Sequence, residues 1–311
     1  MPKAYVFTEA GGPETEAFAD LPRPVPAPGQ LLVRVRAAGV NPVDWKRRAG
    51  FRPAGAPLPD LPAVFGNEAA GVVVEVGPDN GDGDTARFSV GDEVFGNTVN
   101  GGYAEFALLL ASVTTHRPAA LSWADAASLP VASATAYDAV RQLDLPDGAT
   151  LLINGAGGGV GVAAVQIARH DGLTVLGVAG AAKKEFLESL GAVHVASGPG
   201  VADRVRAVAP GGVDGIVDLV GGEPLRDVAT LLADPARLVS AGDRTTVAEL
   251  GGSPVLRKRT AQVLDDLVTL VVGGDLDPLV TRTYPFPHAG EALRAVEQGH
   301  VQGKIVIEFP E

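Results

Sequence analysis

Leu151-Leu152-Ile153-Asn154-Gly155-Ala156-Gly157-Gly158-Gly159-Val160-Gly161 reads as an apolar strand running into a turn made almost wholly of glycine. Val162-Ala163-Ala164-Val165-Gln166-Ile167-Ala168 follows and reads as a buried helix. Residues without Cβ let a backbone touch a diphosphate, and the helix behind the turn offers unpaired N–H groups and the positive end of its dipole. Ala156, Gly158 and Gly161 fit a (G/A)-x-G-x-x-G dinucleotide fingerprint, in the strand-to-helix context that the motif requires. The candidate cradle is therefore Ala156, Gly157, Gly158, Gly159, Val160 and Gly161. The alternative is a tight strand-to-helix turn that binds nothing; the flanking strand and helix favour the cradle.

The next strand, Thr174-Val175-Leu176-Gly177-Val178, tests which dinucleotide is meant. NAD sites place Asp or Glu at its end to hold the ribose hydroxyls. Here Ala179-Gly180-Ala181-Ala182-Lys183-Lys184 follows, with no acid before Glu185. Gly180, Lys183 and Lys184 where a carboxylate would stand favour a 2′-phosphate, and hence NADPH. The alternative is that the two lysines open a solvated helix.

Composition bounds the rest. The chain has 311 residues, enough for two domains, and its 46% hydrophobic and 20% charged residues are those of a folded globular protein. A net charge of −12 argues against nucleic acid or an anionic membrane as partner. Cysteine is absent, which excludes disulfides, thiolate catalysis and any zinc site that needs a cysteine ligand. Met1-Pro2-Lys3-Ala4-Tyr5 enters a strand-like pattern at once, without a signal peptide. Residues 151–168 are apolar enough to resemble a membrane span, but their glycines, Asn154 and Gln166 make a nucleotide loop the better reading. A cytoplasmic enzyme is the expectation.

Upstream, short β patterns are broken by Pro and Gly. Pro22 to Gly29 is a stiff extended connection, Leu31 to Val40 alternates like a half-buried strand, strands recur at 71–77 and 101–107, and 90–96 is a turn followed by a strand. This spacing predicts a partly closed β structure. Ser122 opens a helix with Asp125 at the third position of a capping box. From there strands at 151–154, 174–178, 193–196, 214–220 and 237–240 alternate with helices at 160–170, 182–190 and 224–232, the rhythm of a doubly wound parallel sheet. A last helix at 261–272 precedes a β pattern at 303–309. The expected organisation is α/β, with a discontinuous first domain (1–117 and 275–311) and the nucleotide-binding domain (118–274) inserted in it.

Motifs along nearly the whole chain resemble a known family. They are Ala37-Ala38-Gly39-Val40-Asn41-Pro42-Val43-Asp44, Gly66-Asn67-Glu68-Ala69-Ala70-Gly71-Val72-Val73, Val90-Gly91-Asp92-Glu93-Val94-Phe95-Gly96 and Gly102-Tyr103-Ala104-Glu105. Ala126-Ala127-Ser128-Leu129-Pro130, Thr135-Ala136-Tyr137, Asp218-Leu219-Val220-Gly221-Gly222 and Gly303-Lys304-Ile305-Val306 complete the set. In order and spacing the chain resembles a zinc-independent medium-chain dehydrogenase/reductase of the quinone oxidoreductase type. The resemblance implies a GroES-like β-rich catalytic domain, a Rossmann domain, NADPH, and hydride transfer to a quinone, enone or related conjugated carbonyl. It places Asn41 and Thr135 at the nicotinamide end, and Val220 and Ala241 complete the expected cofactor contacts. Zinc-dependent relatives carry Cys where this chain has Asn41 and His where it has Asn67. The five histidines (His116, His170, His194, His288, His300) are scattered, so no metal is expected.

The chain also departs from the pattern. The 2′-phosphate tyrosine of many relatives is replaced by the Ala196-Ser197-Gly198-Pro199 neighbourhood, which leaves Gly180, Lys183 and Lys184 to carry the NADPH preference. Phe51 and Arg52 stand where some relatives place a tyrosine near the active-site mouth, so no tyrosyl proton donor is expected there. The segment between Ser240 and Ala261, which in relatives supplies an edge strand at a homodimer interface, is short; a homodimer stays an open partner assignment.

Without a metal, charge developing on a substrate oxygen must meet hydrogen-bond donors. Asn41 has an amide that can donate to a ribose hydroxyl, a carboxamide or a substrate oxygen; as a plain alternative it is a turn residue before Pro42. Asp44, the third candidate catalytic residue beside Asn41 and Thr135, orients Lys46 or closes a turn. Asn67 reads as a loop stabiliser and Asp218 as a turn cap. Quinones and enones accept a hydride and then a proton that water can supply, so they rank above alcohols as substrates. Two other readings stay open. One is an enoyl-thioester reductase of a biosynthetic pathway, for which Arg47, Arg48, Arg52, Arg257, Lys258 and Arg259 would supply a basic groove. The other is a non-enzymatic NADPH-binding protein.

Overall fold

The computed structural model describes residues 1–52, 59–299 and 301–310. His300, among the histidines named above, lies outside the described residues. The chain forms two compact units: Met1–Val131 with Arg259–Thr269 and Val280–Glu311, and Ala132–Lys258 with Leu270–Leu279.

The first unit opens with β1 (Lys3–Phe7), β2 (Glu16–Asp20), β3 (Gln30–Val40), helix α1 (Pro42–Arg48), β4 (Ala63–Val64), β5 (Glu68–Val76), β6 (Glu93–Thr98), β7 (Phe106–His116) and α2 (Trp123–Ser128). α2 begins as its sequence predicts, with Ser122 Oγ accepting from the Asp125 N–H at 3.0 Å.

The second unit runs through α3 (Ala134–Gln142), β8 (Thr150–Asn154), α4 (Gly159–His170), β9 (Thr174–Ala179), α5 (Lys184–Ser189), β10 (Val193–Ala196), α6 (Val201–Val208), β11 (Gly215–Asp218), α7 (Gly222–Ala229), β12 (Leu238–Ser240), α8 (Arg244–Glu249) and β13 (Ser253–Pro254). The order β10-β9-β8-β11-β12-β13 is parallel throughout and reverses direction between β8 and β11. In such a sheet the crevice at the carboxyl ends beside that reversal is the ligand site. Leu152, Leu176, Ile216 and Leu238 from four neighbouring strands form part of its core with Val205, Leu225 and Val247 from the helices.

α9 (Ala261–Gly273), β14 (Val280–Pro285), α10 (Ala289–Glu297) and β15 (Lys304–Glu308) end the chain. β14 and β15 extend the large sheet of the first unit, β14-β15-β3-β5-β6-β7; β3 also pairs with β7 and so closes β3, β5, β6 and β7 on themselves. This is the partly closed β structure expected of the first third. Leu31, Val33, Val35, Val73, Val94 and Leu109 fill its interior, the alternate inward positions of their strands.

Candidate functional site

The carboxyl ends of the parallel strands in the second unit enclose a cleft of about 530 Å³. Its lining includes Asn154, Gly155, Gly157, Gly158, Gly180, Lys183 and Val220, with Ser197, Gly198 and Pro199 on the loop after β10. The glycines of the turn do three different jobs. Gly155 holds φ +90°, a conformation that L side chains rarely adopt. Gly161 lies so close to the strand end that a Cβ there would sit 2.4 Å from the Gly155 carbonyl oxygen. Gly158, the residue that caps α4, has ordinary extended backbone, and a Cβ there would meet nothing within 4 Å. The protein itself therefore gives no reason for glycine at 158; open space beside unpaired helix N–H groups is what a diphosphate needs. Ala156 is buried beneath the turn, and Gly159 and Val160 form the first residues of α4.

The two lysines separate. The stem of Lys183 crosses Gly157, and its Nζ donates to the Gly157 carbonyl at 3.0 Å; burial pulls its pKa down. Lys184 begins α5, is exposed, and faces Glu188 one turn on at 3.9 Å. It does not line the cleft. Ala241 is likewise outside the lining; its N–H donates to the Asp218 carbonyl at 2.9 Å. Asp218 does more than cap a turn. Its carboxylate accepts from Asn154 Nδ2 (2.8 Å), Ser240 Oγ (2.6 Å) and the Val220 and Gly221 N–H groups, which ties β8, β11 and β12 together under the cleft. Arg204, which sequence reading passes over, donates to the carbonyls of Ala196, Gly198 and Pro199 and braces the loop that replaces the family tyrosine. Thr135 is buried on α3, where its Oγ1 accepts from Arg257 Nη1 at 2.6 Å, and Arg257 Nε pairs with Asp138 at 3.0 Å.

The first unit holds a second polar cluster, buried among apolar strands. Asn41 caps α1 ahead of Pro42, and its backbone N–H donates to Asp44 Oδ2 at 2.9 Å. Asp44 also accepts from Tyr103 Oη (2.9 Å) and Asn67 Nδ2 (2.6 Å). Of its two expected uses, closing the turn is the one the hydrogen bonds record; Lys46 lies over the Trp45 ring instead. Burial pushes Asp44 up to about 6, with the N–H of Asn41, the Tyr103 hydroxyl and the Lys304 charge opposing that rise. Asn41 Nδ2 donates to Glu68 Oε1 at 2.7 Å, and Lys304 Nζ donates to Asn41 Oδ1 at 2.8 Å and to Glu68 Oε1 at 2.9 Å. Glu68 and Lys304 escape sequence reasoning, although a Glu and a Lys at the heads of apolar strands are the signal that was available.

The basic groove that the enoyl-thioester reading needs loses two members. Arg48 is 1% exposed, with its guanidinium paired to Glu16 and Glu297, and Arg257 is committed to Asp138 and Thr135. A buried arginine must be paired, and the carboxylates that pair it leave no charge for a phosphate.

Comparison with known proteins agrees with this geometry. Residues 27–119 match the alcohol dehydrogenase GroES-like domain and residues 190–307 the zinc-binding dehydrogenase model. The chain is 31% identical over 327 residues to a quinone oxidoreductase of Pongo abelii, covering 98% of this chain and 97% of that one. It belongs to the quinone oxidoreductase family of medium-chain dehydrogenases/reductases. It is also 36% identical over 299 residues to the polyketide synthase GfsB of Streptomyces halstedii, covering 91% of this chain but only 5% of that protein. Among solved structures, the quinone oxidoreductase of Coxiella burnetii has a TM-score of 0.87 at 29% identity, covering 99% of both chains. The CurK enoyl reductase has 0.86 at 26%, covering 99% of both. A mycobacterial protein solved in complex with NADPH has 0.86 at 29%, covering 99% of this chain and 100% of that one.

The donor set does not fit the zinc of the family model's description. Asn41 and Asn67 are neutral amides already bonded to Glu68, Lys304, Asp44 and Arg47, and the chain has no cysteine. Among the described residues no three His, Cys, Asp or Glu side chains gather as a metal would require. Among the same residues no helix is long and apolar enough to cross a membrane.

Proposed function

We propose that this protein is an NADPH-dependent oxidoreductase that reduces a quinone or conjugated enone by hydride transfer, without a metal. The observation that carries the reading is the cleft at the carboxyl ends of the parallel strands, where Gly158 leaves open space at the start of α4. NADPH, when bound, supplies the hydride. The chain's own residues bind and orient. The N–H groups at the start of α4 meet the diphosphate, and Lys183, the one cation among the described residues that line the cleft, meets the charge of the 2′-phosphate with Lys184 as second contact. Asn41 is the donor for a substrate oxygen on which negative charge develops, and Thr135 a contact for the nicotinamide. The family relationship to quinone oxidoreductases, and the related mycobacterial protein solved with NADPH, support the reading.

Likeness to CurK enoyl reductase and to part of a polyketide synthase supports the second reading, reduction of an enoyl thioester. The commitment of Arg48 and Arg257 to internal partners counts against a carrier-phosphate groove.

NADPH oxidation against benzoquinones, enones and crotonyl thioesters separates the two, and NADPH is expected to be oxidised fastest with a quinone or enone. Fastest turnover of crotonyl thioester transfers the protein to the second reading; NADPH binding with no oxidation across the panel leaves a non-enzymatic binder. In the same assay Lys183→Ala and Lys184→Ala are each expected to raise KM for NADPH, by about tenfold for a lost charge-assisted contact, and to leave that for NADH unchanged. Equal effects on both cofactors sink the 2′-phosphate assignment.

A further inference from the structure

We infer that the buried Glu68–Lys304 pair is a positioning device that locks the Asn41 carboxamide in one orientation, NH2 toward Glu68 and oxygen toward Lys304, so that it meets a ligand as a donor. The inference deepens the proposed reading of Asn41 as a donor and rests on it. It follows from three adjacent strands. β15 pairs with β3 so that Ile305 faces Val40, and β3 pairs with β5 so that Ala38 faces Ala69. Lys304, which begins β15, thereby stands opposite Asn41, and Glu68, which begins β5, stands opposite Gly39, two residues before Asn41 on the same strand, close enough to bond its amide. Lys304 is 3% and Glu68 0% exposed.

An ammonium can only donate. Lys304 Nζ donates to the carbonyl of Val40 (3.2 Å), to Asn41 Oδ1 and to Glu68 Oε1. Glu68 accepts, through Oε1 from Asn41 Nδ2 and Lys304, and through Oε2 from the Val131 N–H at 2.7 Å. A half-turn of the Asn41 amide keeps its shape but sets its NH2 against the ammonium and its oxygen against the carboxylate. Both bonds would be lost and like poles opposed. An asparagine that is ordinarily ambiguous between two orientations has one here. Its oxygen is occupied by a cation, which draws charge from the amide and strengthens its N–H groups as donors. One N–H serves Glu68; the amide's second hydrogen is what a ligand can receive. The matching ligand atom is an acceptor such as a carbonyl oxygen.

Gly39 belongs to the device. A Cβ at 39 would lie 2.1 Å from Glu68 Oε1 and 2.5 Å from the Ala127 carbonyl oxygen, so the missing side chain is the space the carboxylate occupies. Stability alone is a poor explanation for the pair, because buried ion pairs are often replaceable by neutral side chains at no loss.

The test compares kcat with 1,4-benzoquinone and NADPH affinity by fluorescence titration in five variants, with melting temperature as the check of folding. In Glu68→Gln/Lys304→Gln both neighbours become amides that can donate or accept, so Asn41 loses its fixed orientation at little change in volume. kcat is expected to fall by about a hundredfold, the scale of a lost transition-state donor, with the NADPH dissociation constant within about twofold. Lys304→Arg keeps the charge and the donors, and should restore most of the turnover. Asn41→Ala should lose as much as the double variant, and the triple variant no more than either, because the pair acts through Asn41. If Asn41→Ala loses turnover while a folded Glu68→Gln/Lys304→Gln protein keeps wild-type kcat, the lock is overturned and the donor role of Asn41 stands. If Asn41→Ala keeps wild-type kcat, the donor role fails and the lock with it. Should the double variant not fold, a folded Lys304→Arg protein that loses turnover, as does a fifth, Lys304→Met, overturns the lock, since the ion's charge and donors were preserved.

Discussion

Asp44 shows what burial does to one carboxyl in this molecule. It is 1% exposed and its pKa is pushed up to about 6. A carboxyl raised in the folded state binds protons that the unfolded chain has already released, so stability falls as pH rises across that interval. The penalty is absent below about pH 4, grows between about 4 and 6, and is complete above, where it amounts to about 3 kcal/mol. Asp44→Asn removes the titration and keeps the size. Urea midpoints from pH 4 to 7.5 should therefore show the wild type losing stability relative to the variant as pH rises to 6 and holding that deficit beyond it; parallel curves would refute the raised carboxyl. The same residue marks the limit of sequence reading. Closing a turn was one of the two uses that sequence offered for it, but Tyr103 and Asn67, which complete its shell, lie far away in the chain.

At the scale of the element, the alternation of β8, α4, β9, α5, β10 and β11 was legible because apolar period and glycine punctuation are local signals. Ends set by distant residues were not. α7 begins at Gly222 rather than 224, because Gly221 takes φ +82° and the Asp243 carboxylate, 21 residues on, accepts from the Gly222 N–H at 3.2 Å. The adjacent lysines were read as one feature; Lys183 closes a short 3-10 turn toward the cleft, whereas Lys184, a helical step further round, turns to Glu188. Glu68 and Lys304 could not be paired from sequence, since only the β15-β3-β5 register brings 68 and 304 together. Asp218 is the element-scale joint of the nucleotide sheet. Asp218→Ala leaves Asn154, Ser240 and the Val220 and Gly221 N–H groups without their acceptor, and should lower stability by about 2–4 kcal/mol, at the scale of one or two net bonds to a charged group because water and relaxation recover the rest. Chemical denaturation measures this, and a change below about 0.5 kcal/mol, the range of ordinary surface substitutions, would show that the joint is dispensable.

For the molecule as a whole, an acidic chain with a net charge of −12 repels an anionic cofactor at long range, so the glycine turn and Lys183 must supply the attraction locally. A ligand that binds only the folded state stabilises it by mass action, about 2.7 kcal/mol at a hundredfold excess over its dissociation constant. Thermal unfolding with and without NADPH is therefore the direct test of the cleft, made on Gly158→Val with Gly161→Ala as its contrast. The Cβ of residue 158 points into open space, so Gly158→Val without cofactor should melt close to wild type and lose the NADPH-induced rise. Gly161→Ala drives a methyl into the Gly155 carbonyl and should melt lower even without cofactor, by about 1–3 kcal/mol of overpacking. If Gly158→Val keeps the full NADPH-induced rise, the cleft is not the cofactor site.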